Sequence, residues 1–371
     1  MRKWIKRISA TLGVLIAVAL AALAVAISYD SSCGPLPTVA GSGPTMKAAV
    51  RRCYGPPDVL AVESLERPVL ADNQMLVKVH AASLNPLDWH RMRGTPYLMR
   101  IGEGFGAPKD VRLGLDFAGT VEMVGKGVTR FKAGDEIFGG RSGALAEYVA
   151  VRESGSIARK PANISFEQAG GVYVAAITAL QALRDRAAVQ RGQKVLINGA
   201  SGGVGTFAVQ IAKSLGAEVT AVCSTRNVEL VRSLGADHVI DYKTSDFTQS
   251  ETRYDVIMDN VANRPILEIR RVLAPGGKYI VIGGGGPDAD PWVGAFLAPL
   301  KALIVSWFVD QDMGLFISSA STADVEILAR LMEQGEITPV VDRRYPLTDV
   351  ADAMRYIEEG HARGKVIVTP D

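Results

Sequence analysis

Three rhythms of apolar and polar positions run along the chain. The first is nearly unbroken. Residues 8–27 are apolar, and Arg2, Lys3, Lys6 and Arg7 precede them. The second is short and strand-like. Residues 47–52, 75–80, 115–121, 134–139 and 144–151 read as strands, set off by turn signals such as GPPD and ADNQ. The third begins at Ile164, where apolar residues take up helical spacing as far as Ala187. Beyond it, short apolar runs alternate with helical stretches. Strands are predicted at 195–197, from 219, and at 238–241, 254–259 and 278–282, with helices over 228–234 and 265–273. Such alternation predicts a doubly wound parallel sheet. Helices over 323–333 and 349–358 then lead to a closing strand at 365–368, expected to return to the β-rich part.

The leading apolar stretch is close to the ~20 residues that a bilayer span needs. Two readings stand. One is a retained single-pass anchor through residues 8–27. The other is a secretory signal, with Ala24-Val25-Ala26 as a cleavage-like site and a secreted product. The stretch is longer than a usual signal core, which favours the anchor. Positive charge ahead of the span biases the following domain to the far side of the membrane, and Lys47, Arg51 and Arg52 after it are a weaker opposing signal. The side of the membrane stays open. Residues 34–44, GPLPTVAGSGP, have the composition of a flexible linker, and residues 1–45 are expected to lie outside the globular fold.

The chain is organised around residues 194–226. Val195, Leu196 and Ile197 form a run typical of a strand buried on both faces, and Gly199, Gly202, Gly203 and Gly205 follow at once. Val204, Ala208, Ile211, Ala212 and Leu215 then share one helical face, and Gly216 ends the helix. A strand, a glycine turn, a helix and a second strand are what a pyrophosphate needs. The backbone approaches closely where no Cβ intervenes, and the helix N-terminus offers free N–H groups. Ala200, Ser201, Gly202, Gly203, Val204 and Gly205 are the candidate contacts. Ala200 stands where the first glycine of G-x-G-x-x-G falls, which is tolerable if its φ stays negative. At the end of the second strand, where NAD sites place an acidic residue, the chain reads Cys223, Ser224, Thr225, Arg226. No carboxylate is expected there to repel a 2′-phosphate. Ser224, Thr225 and Arg226 can receive one, which favours NADP(H). Residues 283–286 follow the last strand at the edge where ligands sit in such sheets, so Gly283 is a further candidate.

The 41 basic and 39 acidic residues give a net charge of +2, with no basic run beyond the first residues, so there is no footprint for nucleic acid. The four histidines are scattered. Cys33, Cys53 and Cys223 have no metal-type or redox spacing, and so sparse and odd a set argues against a disulfide framework. Cys223, at a strand end, is expected to be buried.

Segments from Met46 to Asp371 resemble the medium-chain dehydrogenase/reductase superfamily in its zinc-free quinone oxidoreductase branch. They are MKAAVRRCYGPPDVL, AASLNPLDWHRMRG, LGLDFAGTVEMVGKGVTRFKAGDEIFG, ALAEYV, AAITALQAL, NGASGGVG and GKVIV. The resemblance implies an α/β protein with a GroES-like β-barrel catalytic domain built from both chain ends, 46–167 with 316–371. A Rossmann cofactor domain, 168–315, is inserted between them. Members that bind zinc place Cys at the position of Asn85, and His-Glu where Leu115-Asp116 follow Gly114. Leucine cannot ligate zinc, so no metal is expected. By the same resemblance Asn85 faces the nicotinamide and can donate to the substrate oxygen. Asp88 holds cofactor or fixes the loop, and Tyr173 is a proton-donor candidate. Thr178, Tyr242 and Lys365 are cofactor candidates, with a solvated strand residue the plain alternative for Lys365. The family also favours a homodimer.

Without a Lewis acid, carbonyl reduction loses its main oxyanion stabiliser, whereas conjugate reduction of a quinone or α,β-unsaturated carbonyl needs only hydrogen-bond donors. The expected activity is NADPH-dependent hydride transfer to such an acceptor. Its alternatives are a cofactor-binding assembly protein without turnover, and an alcohol dehydrogenase or enoyl-thioester reductase of the same superfamily.

Overall fold

The computed structural model describes residues 2–34 and 43–370. The apolar leader forms one long helix, Arg2–Ser28 (α1). From Thr11 to Ser28 it is long and apolar enough to cross a membrane by length and composition. Most of the 34–44 linker expected from composition lies outside the described residues.

The strand-like rhythm builds a barrel. Thr45–Arg51 (β1) and Leu60–Glu66 (β2) pair antiparallel. Gln74–Leu84 (β3), Asp116–Val124 (β4), Glu136–Gly140 (β5), Tyr148–Arg152 (β6) and Ile157–Arg159 (β7) enter a seven-stranded sheet. Helices Pro86–Arg93 (α2) and Arg100–Glu103 (α3) follow β3. β2 and β7 were not legible as strands. The alternation along β2 is broken at Val62–Glu63, and β7 is three residues long.

Helices Phe166–Gly170 (α4) and Tyr173–Gln181 (α5) lead into the second sheet. Its strands are Lys194–Asn198 (β8), Glu218–Cys223 (β9), His238–Asp241 (β10), Tyr254–Asp259 (β11), Leu273–Val281 (β12) and Asp312–Leu315 (β13). They pair in parallel in the order β10-β9-β8-β11-β12-β13. Val195 and Ile197 pack into one hydrophobic core and Leu196 into another across the sheet, so both faces are covered. The crossover helices are Gly203–Ser214 (α6), Val228–Ser233 (α7), Ile266–Val272 (α8) and Gly294–Ser306 (α9). On α6, Phe207, Ala208, Ile211 and Ala212 are fully buried. The order reverses between β8 and β11, which makes their carboxyl ends the topological switch point. Asp259 locks it. Its carboxylate accepts from Asn198 Nδ2 at 2.8 Å, from Tyr279 Oη at 2.9 Å and from the Val261 and Ala262 N–H groups.

After helices Thr322–Glu333 (α10) and Val350–Glu358 (α11), Val341–Pro346 (β14) and Lys365–Thr369 (β15) complete the barrel sheet. β14 precedes α11 in the chain, and β15 closes it by pairing antiparallel with β3. Helix α9 leaves Leu297, Leu300, Leu303 and Ile304 exposed, so this apolar segment is only partly core.

Two expectations need correction. Residues 1–45 are not wholly outside the fold, because Ile27 is buried and Asp30 forms a bridge with Gly106. Cys33 and Cys53 are joined as a disulfide, with Cα atoms 4.8 Å apart. The cysteine count carried no sign of this, since the pairing depends on the leader folding back onto the barrel.

Candidate active site

The end of β3, the start of α2, β4 and β15 meet the glycine turn of the second sheet. Asn85 is the N-cap of α2. The Asp88 carboxylate accepts from the Asn85 N–H at 2.8 Å and from the Gly114 N–H at 3.2 Å, so it fixes the loop. It is fully buried, and desolvation foremost, with the nearby Asp116 charge adding to it, pushes its pKa up to about 6.

Lys365 is buried, not solvated, which overturns the plain reading of that strand residue. Its ammonium donates to Asn85 Oδ1 and to the Leu84 carbonyl at 3.3 Å, and it lies 3.3 Å from Asp116 Oδ2. Asp116 is in turn held by Ser83 Oγ at 2.7 Å and by the Val174 N–H at 3.0 Å, in the first turn of α5. An ammonium can only donate, so the carbonyl end of Asn85 must face Lys365. The other end, Nδ2, is buried and has no hydrogen-bond partner among the described residues. A donor left this way costs free energy unless a ligand completes it.

The glycine turn lies against this cluster. A Cβ on Gly203 would come within 3.2 Å of Lys365 Cδ. Gly199 takes the left-handed φ of +74°, while Ala200 is not among the described residues with positive φ, so its methyl is accommodated. A Cβ on Gly205 would meet Gly199 O at 2.1 Å, so this glycine sets the close packing of α6 on the turn. Ser201, Gly202, Gly203 and Val204 are half-buried, and the first-turn N–H groups of α6 have no intrahelical partner. A Cβ on Gly283 would strike Asn260 O at 2.4 Å, and Asn260 Oδ1 is another buried atom without a partner.

Thr178 is buried, and its hydroxyl donates to Val174 O at 2.7 Å and pairs with Ser318 Oγ at 3.0 Å. Tyr173 is half-buried, and a Cβ on Gly140 would strike its ring. Burial raises its pKa, against an opposing hydrogen bond from Ser156. The phenol therefore stays protonated.

At the ribose corner Arg226 is exposed and donates to the His361 carbonyl at 2.9 Å. Asn227, which the sequence reading missed, donates to Ser201 Oγ at 2.9 Å and to Ser224 Oγ at 3.2 Å, tying the glycine turn to that corner. Its Oδ1 has no partner. A carboxylate is present after all. Asp241 pairs in register with Cys223, and hydrogen bonds from Thr225 foremost hold its pKa low. It comes from the neighbouring strand, so inspection of residues 223–226 could not show it. Tyr242 is exposed, with the Lys243 ammonium 5.4 Å from its ring centre. Cys223 is buried, which pushes its thiol up to about 11.

A narrow space of about 10 Å³ lies between Trp89, His90, Thr95 and Pro96 on the barrel side and Gly285, Gly286 and Asp290 on the other. A larger cavity of about 270 Å³, lined by Pro68, Val69, Arg112 and Arg141, contains none of these site residues.

Comparison with known proteins decides the family. Residues 71–162 match the alcohol dehydrogenase GroES-like domain, and residues 234–368 match the zinc-binding dehydrogenase domain. A chloroplast envelope quinone oxidoreductase homolog of Arabidopsis thaliana is 34% identical over 346 residues, covering 89% of this chain and 100% of the relative. The chain belongs to the medium-chain dehydrogenase/reductase superfamily, in its quinone oxidoreductase-like branch. An NADPH-dependent alkenal/one oxidoreductase of the same plant is 35% identical, covering 88% of this chain and 80% of the relative. The solved structure of a quinone oxidoreductase from Coxiella burnetii aligns with a TM-score of 0.77 at 28% identity, over 88% of this chain and 100% of that one. This superfamily member is an oxidoreductase that uses a nicotinamide cofactor.

The residues present fit such a cofactor. Ser201, Gly202, Gly203 and Val204 are half-buried at the N-terminus of α6, whose first N–H groups are free to receive a pyrophosphate, and Asn85 Nδ2 and Asn260 Oδ1 are buried atoms without a partner among the described residues. They do not fit zinc. The Lys365 ammonium sits between Asn85 and Asp116, both carboxylate oxygens of Asp116 are engaged, and Leu115 offers no donor.

Proposed function

We propose that this chain is a zinc-independent, NADPH-dependent reductase acting on a quinone or an α,β-unsaturated carbonyl. When bound, the nicotinamide supplies the hydride. The carrying observation is the unpartnered Asn85 Nδ2, aimed by Lys365. Its two N–H groups can donate to an acceptor oxygen as negative charge spreads into an enolate or hydroquinone. The Asp116–Lys365–Asn85 chain holds that donor without reorganisation. Tyr173, protonated and at the β5 side, is the second proton source in this reading.

Ser224, Arg226, Tyr242 and Lys243 offer a 2′-phosphate two hydroxyls and two cations. Asp241 opposes it, although its carboxylate is occupied by Thr225 and by the Lys243 N–H. The reading also includes a homodimer, with the exposed stripe of α9 covered by the second copy. Sedimentation of the solubilised full chain at the monomer mass would remove that part.

The test is stopped-flow NADPH oxidation against quinones, enals and enoyl thioesters. Asn85→Ala should lower kcat by about 100-fold, the scale of losing one oxyanion donor, with NADPH affinity kept within about threefold. Unchanged kcat would remove Asn85 from the chemistry. Arg226→Ala should raise the NADPH KM about tenfold and leave that for NADH alone, since a charge-assisted phosphate contact contributes roughly 1.5–3 kcal/mol. Tight NADPH binding with no oxidation by any acceptor would point instead to a binding protein.

A further inference from the structure

The lower end of α1 is built into the barrel body rather than hanging from it. Arg100 is buried, and its guanidinium gathers the end of the helix. Nη1 donates to Ile27 O and Tyr29 O, both at 3.1 Å, and pairs with Asp30 Oδ1 at 2.8 Å. Nε donates to Gly94 O at 2.7 Å, and the guanidinium lies 4.3 and 4.6 Å from the ring centres of Tyr54 and Tyr97. Ser31 donates from its N–H and its hydroxyl to Gly106 O, and Cys33 is bonded to Cys53. The direction in which α1 leaves the barrel is therefore set by the fold.

Around that exit the surface is apolar. Leu98, Ile101 and Phe105 are each more than half exposed. The turn that carries Leu98 touches α1, and its Tyr97 donates its N–H to Pro291 O at 2.8 Å and packs edge-on against Trp292. Val293 is the next residue and is exposed too. Tyr29, Tyr97 and Trp292 thus ring the exit, the residue types that gather at the membrane–water interface. Thr11 to Ser28 spans about 27 Å at 1.5 Å per residue, close to the ~30 Å of a hydrocarbon core, so the interface falls at the level of residues 28–33. Cleavage after Ala26 would place a new ammonium on Ile27, a buried residue whose carbonyl is held by the Arg100 cation. Such like charges are costly when desolvated.

We propose that α1 is retained, and that the surface formed by Leu98, Ile101, Phe105 and Val293 is seated in the interfacial layer of the lipid bilayer that α1 crosses. Thr95, Pro96 and Asp290, which line the narrow space beside Trp89 and His90, adjoin this surface. α2 leads from Trp89 and His90, in that space, back to Asn85 at its N-cap, so in this proposal the cleft is entered from the membrane side. Resting on the reductase reading above, this makes the acceptor a molecule dissolved in the lipid phase.

The test uses the full chain in phosphatidylcholine vesicles. An environment-sensitive maleimide is placed at Ile101→Cys, at Phe105→Cys, and at Lys126→Cys. The last lies in the turn after β4, at the far end of the barrel strands from Asn85. Lipids with a nitroxide near the headgroup should quench the labels at 101 and 105 at least threefold more than the label at 126. The intact mass should include residues 1–26. Equal quenching at all three sites, or a chain beginning at Ile27, overturns the proposal. If one variant fails to fold, Leu98→Cys reports the same surface. Quenching needs no turnover, so it stands apart from the reductase reading. Should quenching hold while long-tailed quinones show no gain in kcat/KM over short-tailed ones, the seated surface stays and the lipid route to Asn85 falls.

Discussion

Lys365 decides which end of Asn85 faces the cleft, and Asp88 decides where the Asn85 backbone sits. Of the two, Asp88 carries a measurable cost. Its pKa is pushed from the ordinary 3.8 to about 6, chiefly by burial. Between those values the folded form holds a proton that the unfolded form has lost. Stability is therefore lost as pH rises from 3.8 to 6 and changes no further above that window. The span corresponds to roughly 3 kcal/mol. Asp88→Asn removes this titration. The unfolding free energy of the wild type relative to the variant should thus fall by about that amount between pH 4 and pH 7, read by urea denaturation. A constant difference would mean that Asp88 ionises in the fold as easily as in the unfolded chain. At this scale the residue types were legible and their roles only partly so. Asn85, Asp88 and Lys365 could be placed by resemblance. The burial of Lys365, and the pairs Asn227–Ser201 and Asp241–Thr225, could not, because each joins side chains from different elements.

At the scale of elements, the strand, glycine turn and helix of residues 194–226 were legible because three signals coincide there: a doubly buried apolar run, clustered glycines and a helical apolar face. The glycines are not equivalent. A Cβ on Gly202 would meet only Gly199 O, at 3.4 Å, an ordinary contact, and its φ of −80° suits any residue. A Cβ on Gly205 would lie 2.1 Å from Gly199 O and 2.7 Å from two Ala200 backbone atoms, none of which can swing aside. Gly202→Ala should therefore keep its stability to within about 0.5 kcal/mol. Gly205→Ala should lose several kcal/mol, on the order of other overpacked sites, and its cofactor binding with it. Thermal melts with and without NADPH separate the two. Equal melts would mean that α6 can shift away from the turn, contrary to this packing. The short strands β2 and β7 escaped the sequence reading for the opposite reason: no second signal reinforces a three-residue run or an irregular alternation.

Across the whole molecule, the long-range closures were the least legible. The return of β15 to β3 could be expected from the resemblance, whereas the fold-back of residues 27–33 onto the barrel had no local signature. It depends on Arg100, on Gly106 and on Cys53, all distant in sequence. The disulfide turns that closure into a countable property. The chain holds three cysteines, and Cys33 and Cys53, 20 residues apart, are paired. The full chain, purified without reductant, denatured and alkylated, should show one reactive thiol, that of Cys223, and three after reduction. A loop of this length constrains the unfolded chain by about 3 kcal/mol, so Cys53→Ser should lose stability on that scale. A count of one also places the barrel in an oxidising compartment. The four basic residues in the first turns of α1, ahead of its apolar stretch, bias the barrel to that same side, since positive flanks remain in the cytoplasm. A count of three before reduction would leave the Arg100 contacts and the Ser31–Gly106 hydrogen bonds to attach the helix to the barrel, and would free the orientation from this constraint.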